Sequence, residues 1–179
     1  MLFRSVGTIA DVVDLKDENR AIVKYGVAKI NGNPCNGINA LRQIAGVSER
    51  QLNAVGVTYS LAPRINAAGR IESATTALKL LLCDDLIKAL QIGEQVDMCN
   101  RERHQFEAEI MESAVKHIES NDKLKYSRVL VVCGEGWHHG VIGIVAARIT
   151  EKYGKPTIVI TFDGDEGTEI GRASCRERV

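Results

Sequence analysis

The sequence has 179 residues, 45% of them hydrophobic and 26% charged, which is enough to bury the core of one domain or of two small domains. Its 23 basic and 23 acidic side chains balance, which excludes a global basic field and leaves any nucleic-acid partner to a local basic cluster. Five cysteines without a CxxC pair argue against a zinc site or a disulfide framework, and no apolar run has the ~18 residues of a membrane span, so a cytoplasmic protein without membrane contact is expected.

The first predicted element is a buried strand or turn within residues 6–15, because an apolar run there ends in two aspartates. One of them, Asp11, would lie at the carboxyl end of that element. A carboxylate in such a position is a natural ligand for Mg²⁺ or Mn²⁺, which take oxygen donors. The alternative is an aspartate that caps a turn or a helix.

Short helices are predicted next. Apolar residues recur at helical spacing over residues 19–30, and a run of asparagine, glycine and proline ends that helix. A second helix is expected at residues 37–45, and a third from Ser48, where Gln51 completes a capping box. A further helix is expected after Ser73.

The run from Pro63 to Arg70, PRINAAGR, contains proline and glycine and predicts a shaped loop rather than a regular element. The guanidinium groups of Arg64 and Arg70 offer planar pairs of donors that suit phosphate oxygens, and the amide of Asn66 lies between them. The small residues 67–69 would let a ligand backbone come close. The alternative is that both arginines bind neighbouring carbonyl groups at the surface.

The longest helical signal follows Asp85 and runs to about Glu119, which corresponds to about 50 Å of helix. Its middle, residues 100–105, is wholly polar, so we expect the helix to bridge two domains rather than to fill one core. Asn100 and Arg103 are interpreted as part of a solvated face, with phosphate contact as the alternative.

The last third of the sequence predicts a strand, a helix and a second strand. Apolar runs predict strands at residues 128–133 and 156–160, and an amphipathic helix at residues 140–153 is closed by Gly154. Two strands joined by such a helix are expected to be parallel, with a right-handed crossover. The predicted fold class is therefore α/β, with a βαβ unit.

The run GEGWHHGVIG, residues 134–143, connects the first strand to the helix. Open α/β sheets bind ligands beyond the carboxyl ends of their strands, and the helix start at Gly140 would offer N–H groups to an anion. His138 could donate a hydrogen bond to a phosphate, while Trp137 could stack on a base or pack within the protein. A dinucleotide site is excluded because His139 stands where the third glycine of GxGxxG would be.

Three of these segments, in this order, resemble consecutive stretches of RecJ-like, single-strand-specific DNA exonucleases of the DHH phosphoesterase superfamily. Residues 7–13 resemble the last acidic motif of the DHH domain, and residues 63–70 resemble the family's PRINAAGR run. Residues 136–146 resemble the GWHxGVIGIVA run of the DHH-associated domain. The middle motif is long and specific, and the three matches cover most of the chain.

The resemblance implies an organisation and an activity. The implied parts are the C-terminal part of a DHH catalytic domain at residues 1–83, a long connecting helix at residues 84–121, and the N-terminal part of a DHH-associated domain at residues 122–179. The implied activity is metal-dependent hydrolysis of single-stranded DNA in the 5′ to 3′ direction, in DNA repair and recombination. A monomer is expected, and a helicase or a single-strand-binding protein is the kind of protein partner expected.

The resemblance also assigns roles to individual residues. Asp11 would be one carboxylate ligand of a two-metal centre, served by Mn²⁺ or Mg²⁺, that activates a water for attack on a phosphodiester. His138 and the helix start at Gly140 would contact the strand from the second domain. Phosphates at the 5′ end of the strand would be held by Arg64, Asn66 and Arg70.

The sequence departs from the family pattern at both ends. The earlier acidic motifs, including the Asp-His-His run, have no counterpart here, so most metal ligands are missing and the chain alone is expected to be inactive. Residues 171–176 resemble the family's glycine-serine-arginine loop only faintly, and Ser174 and Arg176 are assigned no role. We interpret the chain as a truncated piece with foreign residues within 1–5 and 171–179.

Two other functions stay open. The chain could be a nucleic-acid-binding or scaffold module that has lost catalysis, which a genuine start at Met1 would favour and an upstream Asp-His-His run would oppose. It could also come from a DHH phosphoesterase that acts on short oligonucleotides or dinucleotides. The run at residues 63–70 argues against this last function.

Overall fold

A computed structural model describes residues 2–173. The interpretation of Ser174 and Arg176 therefore lies outside the described residues. The chain forms two compact units, residues 1–101 and residues 102–179, and the division falls within one long helix. Across residues 2–173, no helix has both the length and the apolar character that crossing a membrane requires.

The described part of the first unit is built of helices. Asn53 accepts a 2.8 Å hydrogen bond from the Gly56 N–H, and Ser73 accepts one of 3.2 Å from the Thr75 N–H, so a side chain caps the start of two helices. The expected helices at residues 19–30, at residues 37–45 and after Ser73 are confirmed. The helices are α1 (Leu2–Ala10), α2 (Asp17–Gly32), α3 (Asn36–Ile44), α4 (Ala54–Ser60), α5 (Ala62–Ile71), α6 (Ala74–Leu81) and the first part of α7 (Leu86–Ser120).

The segment before Asp11 is helix α1, so the expected strand or turn within residues 6–15 is wrong. Leu2, Val6 and Ile9 are spaced four and three residues apart, which places them on one face of a helix, and all three are buried. This spacing is visible only when Leu2 is included, because Leu2 lies outside the apolar run that begins at Val6. Asp11 follows the helix, and its N–H donates a 2.9 Å hydrogen bond to the Gly7 carbonyl.

The PRINAAGR run lies in helix α5, so the expected shaped loop is also wrong. Pro63 occupies the first turn of the helix, where a backbone N–H has no partner within the helix and its loss costs nothing. Ala67 and Ala68 are buried, and Ala68 packs this helix into the core of the unit. A proline followed by alanines therefore marks a helix start here.

The capping box at Ser48 and Gln51 is wrong, because residues 48–53 form turns and irregular structure. The cause is the buried guanidinium group of Arg42. Its Nη2 donates hydrogen bonds to the carbonyls of Ser48 at 2.7 Å and Arg50 at 3.0 Å. Those carbonyls point at Arg42 and do not start a helix, which begins only after Asn53.

The second unit is an α/β unit, which confirms the predicted fold class and the βαβ unit. The two predicted strands pair in parallel over six residues, with Leu130 opposite Thr157. Gly154 ends the connecting helix in the left-handed conformation, with φ of 65°. The elements are the end of α7, α8 (Asp122–Lys125), β1 (Leu130–Glu135), α9 (His139–Tyr153), β2 (Thr157–Asp163) and β3 (Glu166–Arg172).

Strand β3 is an addition that the sequence pattern did not predict. It pairs antiparallel with β2 across a two-residue turn, in which Gly164 has φ of 60°. The described sheet therefore has the order β1-β2-β3. Most β3 side chains are exposed and polar, so the strand lacks the apolar alternation by which strands are recognised.

Asn100 and Arg103 are buried, so the interpretation of these two residues as part of a solvated face is wrong, whereas residues 101, 102, 104 and 105 are exposed. The exposed fractions of Asn100 and Arg103 are 6% and 8%, and Glu107 one turn later is 1% exposed. Arg103 Nη1 donates a 2.9 Å hydrogen bond to Glu107 Oε2. The two opposite charges, at positions i and i+4, therefore form a buried ion pair in the second unit.

Candidate phosphate-binding site

Three of the predicted site residues line one cavity of the first unit. The cavity has a volume of about 540 Å³. Asp11 lies after α1, while Asn66 and Arg70 lie on α5, and all three residues are exposed. Helix α6 provides an apolar wall. The full lining consists of Asp11, Ile65, Asn66, Gly69, Arg70, Ala74, Ala77, Leu78 and Leu81.

Helical geometry explains which residues of the PRINAAGR run reach the cavity. Asn66 and Arg70 are four residues apart and so lie on the same face of α5. Arg64 is two residues from Asn66, which turns it by about 200° around a helix of 3.6 residues per turn. The two arginines were expected to grip phosphates together, but the structure places them on different faces.

Arg64 is held by groups of the first unit away from the cavity. Its Nε donates a 2.8 Å hydrogen bond to Asp97 Oδ1, and its Nη1 donates one of 2.6 Å to the Ser60 carbonyl. The Asp97 side chain is only 5% exposed and also pairs with Arg101 at 2.7 Å. Asp97 therefore joins α5 to α7 through Arg64.

The carboxylate of Asp11 lies where a cation is favoured. It follows the C-terminal end of α1, where the helix dipole places negative partial charge. The Asn66 amide and the Arg70 guanidinium line the same cavity and offer donors for the oxygens of an anion. The cavity therefore has a carboxylate, Asp11, that attracts a cation, and two donors, Asn66 and Arg70, that attract an anion. A metal-bound phosphate requires both.

A complete metal site is not assembled by this chain. Within residues 2–173, no group of three or more histidine, cysteine, aspartate or glutamate side chains is arranged to hold a metal ion. Asp11 can supply one carboxylate oxygen, which is the ligand type that Mg²⁺ and Mn²⁺ prefer. Asp11 can therefore supply only part of a two-metal centre.

The predicted site of the second unit lies between β1 and α9. His138 is the residue before α9, and its Nδ1 accepts a 3.1 Å hydrogen bond from the Gly140 N–H. The amide that was expected to receive an anion thus already has a partner. Burial, and to a smaller extent the neighbouring His139, hold the pKa of His138 below its usual value.

Trp137 packs against the backbone of Gly134, which favours the packing role over stacking on a base. A Cβ added at Gly134 would overlap the Trp137 indole ring. The glycine at the end of β1 is therefore needed for this close contact. Gly136 between them has φ of 68°, a conformation that favours glycine.

Two buried carboxylates were missed by sequence reasoning. Asp97 is paired with Arg64 and Arg101 in the first unit, as described above. In the second unit, Glu107 is paired with Arg103 and with Arg148. Arg148 Nε lies 2.6 Å from Glu107 Oε1, but the angle between the two groups is not that of a hydrogen bond. The signal in the sequence was the i, i+4 spacing of opposite charges in the middle of α7.

Comparison with known proteins shows similarity to RecJ exonucleases along nearly all of the chain. The single-stranded-DNA-specific exonuclease RecJ of Bacillus subtilis is 34% identical over 169 residues, which cover 94% of this chain and 21% of that protein. No protein-family model matches the chain. The chain spans about a fifth of the length of this relative.

Solved structures show the same similarity. A crystal structure of Thermus thermophilus RecJ in complex with Mg²⁺ matches 95% of this chain and 26% of its own, with a TM-score of 0.79 and 34% identity. A Mn²⁺ complex from the same organism matches 88% of this chain and 23% of its own, with a TM-score of 0.77 and 34% identity. Sequence and fold therefore agree that the chain is similar to RecJ exonucleases.

Proposed function

Because this chain is RecJ-like along nearly all of its length, we propose that it is part of a metal-dependent exonuclease that hydrolyses single-stranded DNA in the 5′ to 3′ direction. The observation that carries the proposal is the shared cavity of Asp11, Asn66 and Arg70. Two distant parts of the sequence, each in a segment that resembles the family, supply one site with a carboxylate and two phosphate-binding side chains.

The first unit holds phosphates of the strand. Arg70 binds a phosphate through its guanidinium group, and Asn66, one turn earlier on α5, donates from its amide. In Arg64, Nε donates to Asp97 and Nη1 donates to the Ser60 carbonyl. A phosphate contact of Arg64 would be made through Nη2.

Asp11 contributes one carboxylate to a centre that binds Mn²⁺ or Mg²⁺, the ions in the complexes of the similar Thermus thermophilus protein. Metal ions bound there would activate a water and stabilise charge on the phosphodiester oxygens. The other ligands would lie in sequence outside this chain, since the relatives of this chain are several times longer than it is. This chain alone is therefore expected to be inactive.

The organisation proposed for the chain has three parts: the end of a DHH domain at residues 1–83, a connecting helix at residues 84–121, and the start of a DHH-associated domain at residues 122–179. His138 donates a hydrogen bond to the strand from the third part, next to the helix start at Gly140. The whole protein would act in the cytoplasm, as a monomer, in DNA repair and recombination, with a helicase or a single-strand-binding protein as a partner.

A chimera tests the proposal. Residues 6–170 of this chain replace the matching segment of Thermus thermophilus RecJ, and release of nucleotides is measured on 5′-phosphorylated single strands with Mn²⁺. We expect activity on single strands, and a loss of about 100-fold or more in the Asp11→Asn variant, because a metal ligand is removed. The matched control is Asp14→Asn, since Asp14 is exposed, pairs with Lys16 and lies outside the cavity.

Two results would overturn the proposal. A chimera that unfolds cooperatively and retains the metal, but does not degrade single strands, would show that this chain cannot serve the exonuclease. Turnover by the isolated chain that depends on Asp11 would show instead that its metal centre is complete without other sequence.

A further inference from the structure

Phe106 on α7 stacks on the ring of His138 within the second unit. Their ring centroids are 5.3 Å apart and their planes differ by 20°. His139 also lies nearly parallel to His138, with centroids 5.0 Å apart and planes 14° apart. These contacts fix the plane of the His138 ring, because rotation out of that plane would lose both.

The amide of Gly140 then selects one of the two orientations that share this plane. Its N–H donates to His138 Nδ1 at 3.1 Å, so Nδ1 must present a lone pair. A ring turned by 180° would place a carbon at that position and lose the hydrogen bond. The single proton of the neutral ring therefore resides on Nε2.

The same hydrogen bond opposes a second proton. Protonating Nδ1 would bring an N–H of the ring against the N–H of Gly140, which is repulsive. Burial of His138 and the charge of His139 act in the same direction on its pKa. Within residues 2–173, Nε2 has no hydrogen-bond partner and is not enclosed, so it remains open to a ligand.

We propose that Phe106 is a positioning residue, which together with the Gly140 amide holds His138 as a neutral Nε2–H donor for a phosphate oxygen of the strand. The identity of the ligand, a phosphate oxygen of the strand, rests on the proposed function, whereas the orientation and tautomer of the His138 ring do not. Phe106 itself touches no substrate. His138 thus acts as a directional hydrogen-bond donor rather than as a cation.

The tautomer of His138 is measured directly by NMR. The 179-residue chain is labelled with ¹⁵N in its histidine rings, two-bond ¹H–¹⁵N correlations are recorded at neutral pH, and the His138 signals are assigned by their loss in His138→Gln. We expect an unprotonated Nδ1 and a protonated Nε2, with this tautomer exceeding the other by about tenfold, the equivalent of one net hydrogen bond.

Three variants separate positioning from packing. Phe106→Leu keeps apolar volume but removes the aromatic plane, so both tautomers should become populated, whereas Phe106→Tyr should restore the single tautomer. Phe162→Leu is the matched control, because it makes the same change at an exposed ring of β2 and should leave the tautomer unchanged. A preserved amide spectrum of the second unit shows that each variant is folded.

The inference is overturned if wild-type His138 carries its proton on Nδ1, a result that needs no variant to fold. It is equally overturned if folded Phe106→Leu keeps the wild-type ratio of tautomers. If the tautomer is as stated but a 5′-phosphorylated single strand leaves the His138 signals unmoved, the inference about the ring stands and the proposed role of His138 in binding the strand fails.

Discussion

Asp97 Oδ1 accepts a 2.8 Å hydrogen bond from Arg64 Nε, and this pair holds the Arg64 side chain on a face of α5 that does not line the cavity. The Asp97 side chain is 5% exposed and that of Arg64 is 19% exposed, so the pair lies mostly out of solvent. Asn66 and Arg70, which share another face of α5, line the cavity. The pair of Arg64 and Asp97 therefore joins α5 to α7 next to the cavity but does not line the cavity.

Replacing Asp97 with asparagine should destabilise the first unit. Removing one partner of a buried ion pair leaves the other charge uncompensated, so we expect the free energy of unfolding to fall by about 3 kcal/mol, measured by urea denaturation. Glu94→Gln on the same helix is the control, since Glu94 is exposed and should change stability by less than about 0.5 kcal/mol. Equal effects of the two substitutions would contradict the role given to Asp97.

Arg70 and His138 should affect strand binding in different ways. Arg70→Gln removes a cation at a phosphate, so affinity should fall and the slope of log K against log salt should decrease by about 0.7. His138→Gln removes a neutral donor, so affinity should fall while the slope stays the same. Fluorescence anisotropy with a labelled single strand at several salt concentrations measures both, and a reduced slope for His138→Gln would show that His138 binds as a cation.

Gly37 should tolerate no side chain, because its added Cβ would overlap the carbonyl group of Leu80 in α6. Backbone atoms on both sides cannot move independently, so Gly37→Ala should lower the free energy of unfolding by about 1–3 kcal/mol. Gly32 provides the control, since nothing lies within 4 Å of its added Cβ. Gly32→Ala should therefore be neutral or slightly stabilising, and the packing of α3 against α6 would be wrong if the two variants melted alike.

Tyr153 should make the second unit sensitive to alkali. Burial, followed by its 2.8 Å hydrogen bond to Glu119, raises the pKa of Tyr153 to about 12. The raised pKa means that this contribution to stability is complete below the unfolded value of about 10 and is lost as the pH rises toward 12. Tyrosinate absorbance measures the titration.

Glu119→Gln tests how much the hydrogen bond to Glu119 contributes to the raised pKa of Tyr153. It keeps the size of the side chain but removes the carboxylate, so the pKa of Tyr153 should fall toward 10 while the effect of burial remains. The assignment of part of the shift to Glu119 would be contradicted by an unchanged titration curve.

Local patterns predicted much of the fold. The apolar runs around α9 and the closing Gly154 predicted the βαβ unit, and Ser73 predicted the start of α6. Strand β3 was missed because its side chains are mostly exposed and polar, so no alternation marks it. The helix around Pro63 was missed because proline breaks helices in general but is well tolerated in the first turn.

The site was predicted less completely than the fold. Residue type alone indicated that Asn66 and Arg70 can hold a phosphate, and the structure places them with Asp11. The direction of Arg64 depends on Asp97, which lies 33 residues away and carries no pattern that links the two. Likewise, the contact of Phe106 with His138 joins two segments that only the folded second unit brings together.

The central claim is that the cavity of Asp11, Asn66 and Arg70 holds phosphates of a single strand. The most direct measurement is the arginine Nε–Hε NMR spectrum of the chain during titration with a 5′-phosphorylated single-stranded oligonucleotide, with Arg70→Gln and Arg64→Gln for assignment. We predict that the Arg70 signal shifts while the Arg64 signal stays, because Arg64 Nε is bound to Asp97. A shift of Arg64 with Arg70 unmoved would contradict the claim.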